Sequence, residues 1–146
     1  MTAFHVVLGI AVVAVNLAAG ALGAYRWRQA QPSRAFWPLL RAGQVLVMVE
    51  AADGAVLVAL GRELPELHLI YGLVPLGVSF LAEQLRLAAA DTVLEQRGLE
   101  GSAAVGELPE AEQRAVVLAI VRREMGVMAV SALVVTLLAL RAGHWL

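Results

Sequence analysis

The sequence predicts an all-α protein, an antiparallel four-helix transmembrane bundle, on three observations. Four apolar stretches, each about long enough to cross a bilayer, occupy most of the 146 residues. Hydrophobic residues make up 60% of the chain and charged residues only 16%, with a mean hydropathy of +0.77, outside the range of soluble globular domains. The Arg residues cluster beside alternate connections, as orientation in a membrane requires. A single domain over 1–146 follows, since no length remains for a second folded unit.

The first span reads as 3–25. No cationic segment precedes its apolar run and no small-residue cleavage site follows cleanly, so a retained membrane helix is expected instead of a removed signal. Gly9, Gly20 and Gly23 lie among Ala18, Ala19, Ala21 and Ala24. Small residues at helical spacing let backbones approach closely, and packing within the chain is the first reading, a dimer face the second. The second span reads as 36–61, after a loop holding Trp27, Arg28, Pro32 and Arg34. The third reads as 66–97, with Pro65 suited to a first helical position and Gly98 to a stop. Gly101, Ser102 and Gly106 predict a loop. Pro109-Glu110-Ala111-Glu112 then restarts the chain as a fourth span over 109–141, its acids at the positive end of the helix dipole.

Arg26, Arg28, Arg34 and Arg41 flank the first connection, and Arg86, Arg97, Arg114, Arg122 and Arg123 the third. Only Arg62 and Arg141 fall on the opposite side. The positive-inside rule therefore puts both termini on the extracytoplasmic side, with Trp27, Trp37 and Trp145 at aromatic-belt positions. There is no Cys, which excludes disulfides, Cys-bound zinc and iron–sulfur clusters. A net charge of −1 and no basic stripe exclude nucleic acid as a partner. No HExxH, Ser/His/Asp arrangement or phosphate-binding Gly loop points to hydrolysis.

Candidate functional groups are polar residues inside apolar spans. Glu50 and Asp53, three apart on one face of the second span, are the foremost, because an ionisable group in hydrocarbon is costly. Counting inward at about 1.5 Å per residue puts Asn16 and Glu50 each roughly 16 Å deep and Ser131 about 15 Å deep. Asn16 and Ser131 read as interhelical hydrogen-bonding groups, worth about 0.6 kcal/mol each. Pro75 withholds the usual donor from the Tyr71 carbonyl. His5, Gly9, Val12, Asn16, Gly20 and Gly23 form one stripe; His68, Tyr71, Pro75 and Ser79 form another, leading to Glu83 and Arg86. Both are expected to face inward. Glu83, Arg86, Arg122, Arg123 and Glu124 read as an ion-pair network anchoring the third and fourth spans.

His5, His68 and His144 all fall at the extracytoplasmic rim. The first and third helices of a simple bundle are diagonal, so His5 and His68 are expected to face each other across its mouth. Two His ligands suit haem b, with Arg62 and Arg141 at its propionates and Tyr71 and Asp53 behind the ligands. Three suit copper or zinc. Glu50, Asp53 and Asn16 are the candidate proton or ion site.

Ala82-Glu83-Gln84-Leu85-Arg86 and Val121-Arg122-Arg123-Glu124-Met125-Gly126 resemble small four-helix integral membrane proteins of actinobacteria. That resemblance implies a multi-pass protein of the bacterial cytoplasmic membrane and carries no assigned activity, cofactor or site. The leading expectation is a redox-type protein holding haem b or a metal near the outer face. The alternatives are a proton-coupled carrier or channel using Glu50 and Asp53, and an accessory subunit docked through the first span. The expected partners are the lipid bilayer and a second copy or a larger membrane complex.

Overall fold

A computed structural model describes residues 3–63 and 66–143. The described residues form five helices: α1 Ala3–Arg28, α2 Phe36–Ala59, α3 Glu66–Gln96, α4 Gly101–Gly106 and α5 Glu110–Ala142. The four long helices are each long and apolar enough to cross a membrane, and the chain is a membrane protein on that ground. Pro65, His144 and Trp145 lie outside the described residues.

The expected spans hold to within two residues except at two places. α1 continues to Arg28, three residues past the expected end, because its polar last turn is closed by backbone bonds from Gln31 to Arg26 and Ala30 to Trp27. The expected loop at 101–106 is instead the short helix α4. Val105 and Leu108 pack on buried Val93, Leu94 and Val116, and the Gln113 side chain donates to the Gly106 and Leu108 carbonyls. Burial and capping outweigh two helix-disfavouring glycines.

α1, α2 and α3 end in one motif. A backbone bond spans five residues (Gln31 to Arg26, Arg62 to Leu57, Leu99 to Leu94) around a shorter one from the residue before it. That inner residue is left-handed in each: Gly61 at φ +79°, Gly98 at φ +67° and, without glycine's freedom, Ala30 at φ 52°.

Helices pack in the ring α2, α1, α5, α3. Along α1 and α2, Gly9 meets Glu50, Asn16 meets Gly43 and Gly23 meets Phe36, while Val12 and Val47 share one cluster with Val135. Each step inward on α1 matches an equal step back on α2. The register corrects the expected depths: Glu50 is level with Gly9, not Asn16. α2 reaches past the start of α1, so counting each helix from its own end misaligns them. The glycines of α1 are used inside the chain. A Cβ on Gly20 would lie 2.6 Å from Leu133, and one on Gly23 2.8 Å from the Ala129 Cβ. Phe36, Leu40, Met125 and Met128 are fully buried at the centre of the other half.

Candidate functional site

The stripe expected on α1 is inward: His5, Val12, Asn16, Gly20 and Gly23 are all buried. Turning that face inward carries His5 to the end of the bundle where α2 finishes and α3 begins. There His5 Nδ1 lies 2.9 Å from Asp53 Oδ2 and His5 Nε2 lies 3.8 Å from Glu50 Oε1. The His5 and His68 rings, from diagonal helices, have centroids 5.8 Å apart and planes tilted by 54°. His68 Nδ1 donates to the Ala142 carbonyl at 3.0 Å. A carbonyl only accepts, so the bond fixes the hydrogen on Nδ1 and the lone pair of neutral His68 on Nε2.

Two adjoining cavities, about 200 and 300 Å³, share His5, Glu50, His68, Gly72 and Ala142. The first runs inward past Gly9, Tyr71 and Pro75; the second follows α2 and α3 past Ala51, Gly54 and Leu73. Gly54 and Gly72 leave space there: among the described residues only His5 Cε1, at 3.9 Å from a Cβ on Gly54, is within van der Waals reach. Glu50 Oε2 is buried and without a hydrogen-bond partner among the described residues. Arg141 lies over the Tyr71 ring at 5.9 Å.

The expected residues thus divide. His5, Glu50, His68 and Tyr71 line one cavity, Asp53 stands behind His5, and Arg141 flanks Tyr71. Asn16 is elsewhere: its amide donates to Val12 O at 2.9 Å and Gly43 O at 3.4 Å, making it a link between α1 and α2. Arg62 is exposed and lines neither cavity. Ser131 makes no bond to another helix among the described residues; its hydroxyl donates to Met128 O in its own helix, the local alternative that Ser always has.

The second charged group is wider than expected. Glu83 binds Arg86 at 2.8 Å and also Arg41 and Gln44 of α2, and Arg86 reaches Glu124 at 3.7 Å. It joins α2, α3 and α5. Arg122 and Arg123 make no ion pair among the described residues. The signal for α2 was the Arg41/Gln44 spacing of three on one face. The Ala142 carbonyl had a subtler one, since the last carbonyls of any helix lack an internal donor.

Among the described residues, no group of three or more His, Asp and Glu is disposed to hold a metal ion. His144, the third expected metal ligand, lies outside them. Comparison with known protein families, curated proteins and solved structures returns no match, so the paired imidazoles and their cavity are the basis for any functional reading.

Proposed function

We propose that this protein is a bacterial cytoplasmic-membrane protein, an antiparallel four-helix bundle with both termini extracytoplasmic, that binds haem b between His5 and His68 in a redox role. The observation that carries the reading is the meeting of two imidazoles from diagonal helices at 5.8 Å. Imidazole–metal bonds are roughly 2.0 Å long, so two rings this close could both ligate one metal held between them. A porphyrin brings four nitrogens of its own. Two protein ligands then suffice, whereas a bare ion would need a third, the place expected of His144. Asp53 and the Ala142 carbonyl each hold one Nδ1, which orients the rings as acceptors behind ligating histidines do. The two cavities flank the pair, and Arg141 sits at the rim beside Tyr71 for a propionate. Bound haem would supply one-electron chemistry. The protein's part is to orient the rings, exclude water and hold a proton at Glu50. Orientation is supported by the equal stepping of α1 against α2 and by the Arg distribution.

The carrier reading has Glu50, Asp53 and His5 in its favour, but it needs a route through the bundle. Val12 and Val47 line the inner end of the cavity and cluster with Val135, all three buried to within 3% exposure, and the fully buried Phe36, Leu40, Met125 and Met128 follow. A site closed on one side suits binding better than permeation.

Protein purified from cells supplied with iron and haem precursor should show a Soret band that disappears in His68→Ala. Metal analysis separates the sources: stoichiometric iron with a Soret band is haem, whereas copper or zinc without one is a bare ion. Colourless, metal-free protein overturns the reading.

A further inference from the structure

At the other end of the bundle from His5, a trough of about 500 Å³ runs along α3 and α5. Val78, Leu81 and Leu85 form one wall and Val127, Val130 and Val134 the other. Its floor is made of small residues, Ala82, Gly126 and Ser131, and the Ser131 hydroxyl is turned to Met128 O. Along its length the trough is therefore apolar.

One end is different. Arg123 is exposed and has no ion-pair partner among the described residues, while Arg41, Arg86 and Arg114 are all paired. Beside it the Trp27 indole lies so close to α5 that a Cβ on Gly126 would be 2.8 Å from its Nε1. That N–H donates to no acceptor among the described residues. A cation and an N–H donor thus stand together where an apolar trough begins.

Dimensions select the occupant. From Arg123 to Val134 the trough follows α5 for about 16 Å, close to half of the roughly 30 Å hydrocarbon thickness. Spreading about 500 Å³ over that length leaves a cross-section of about 30 Å², or roughly 6 Å across. A whole helix, about 10–12 Å in diameter, cannot lie inside a section of that size and could only lay side chains over its opening, whereas one acyl chain of one leaflet fits within it.

We propose that this trough binds an anionic phospholipid, one acyl chain lying along Val130 and Leu81 and the phosphate at Arg123 and the Trp27 N–H. The chemistry is that of basic pockets between membrane helices, which attract anionic headgroups. It is independent of the histidine site.

The test uses full-length Trp37→Phe/Trp145→Phe protein in vesicles, where Trp27 is the sole tryptophan. Quenching of its fluorescence by brominated phosphatidylglycerol is compared with quenching by brominated phosphatidylcholine. The expected preference is about fivefold for the anionic lipid, from about 1 kcal/mol per Arg near the surface, falling to near unity in Arg123→Gln. Val130→Phe, which fills the trough and leaves Arg123 in place, should lower quenching by both lipids. Equal quenching in the parent, a preference unchanged by Arg123→Gln, or Trp27 shielded from both lipids by a second copy would overturn the proposal.

Discussion

His5 in the first turns of α1 and Asp53 near the end of α2 are joined side chain to side chain at 2.9 Å, with His5 buried to 7% exposure. That bond ties two helices at their ends and fixes the ring that faces His68.

Removing Asp53 should therefore act twice. Asp53→Ala removes the carboxylate that holds His5 Nδ1, costing about 1–2 kcal/mol, read as a lower midpoint in detergent unfolding followed by circular dichroism. If haem is bound, loss of an oriented ligand should weaken it about 10- to 100-fold. Wild-type stability in Asp53→Ala would mean the bond contributes nothing.

Glu83 connects α2, α3 and α5, so Glu83→Gln should cost more than any single arginine change. With Arg41 half exposed, about 1–2 kcal/mol is expected, below the cost of breaking a fully buried pair. A double-mutant cycle with Arg86→Gln should give a coupling of at least about 0.5 kcal/mol. Additive effects would show that the two residues act separately.

Glycines of the same bundle should respond oppositely to alanine. Gly23→Ala places a methyl 2.8 Å from the Ala129 Cβ and against Phe36, and should destabilise by about 1–3 kcal/mol. Gly77, mid-helix in α3, has no atom of the described residues within 4 Å of the same position, so Gly77→Ala should stabilise by up to about 1 kcal/mol. Thermal unfolding of the two variants side by side reads both signs.

Ala30 occupies the left-handed position that Gly61 and Gly98 fill at the other two helix ends. Ala30→Gly relieves about 1 kcal/mol of steric cost, partly offset by the greater freedom of unfolded glycine. A small rise in unfolding midpoint is expected. A fall would show that Ala30 is not strained.

Asn16 and Ser131 show how far residue type alone reaches. Both are polar groups in apolar helices and invite the same reading. Asn16 bonds the Gly43 carbonyl on α2, whereas Ser131 bonds back to Met128. The difference is reach. The amide extends across a helix contact opened by Gly43, and the short hydroxyl finds a carbonyl of its own turn first. Likewise the sequence fails on α4, where Val105 and Leu108 gain burial only once α3 and α5 lie side by side.

The sequence by itself determined the solvent, the four long helices and the inward face of α1, because hydrophobic length and helical periodicity are local properties that lipid reads directly. It also marked His5, His68, Glu50 and Asp53 as the costly residues. Only the tertiary structure decided which of them meet. α2 overshoots the start of α1, so Glu50 aligns with Gly9 and joins the histidines while Asn16 is left against Gly43. That offset depends on how glycines and side chains interlock between helices distant in sequence, and periodicity along one helix carries no record of it.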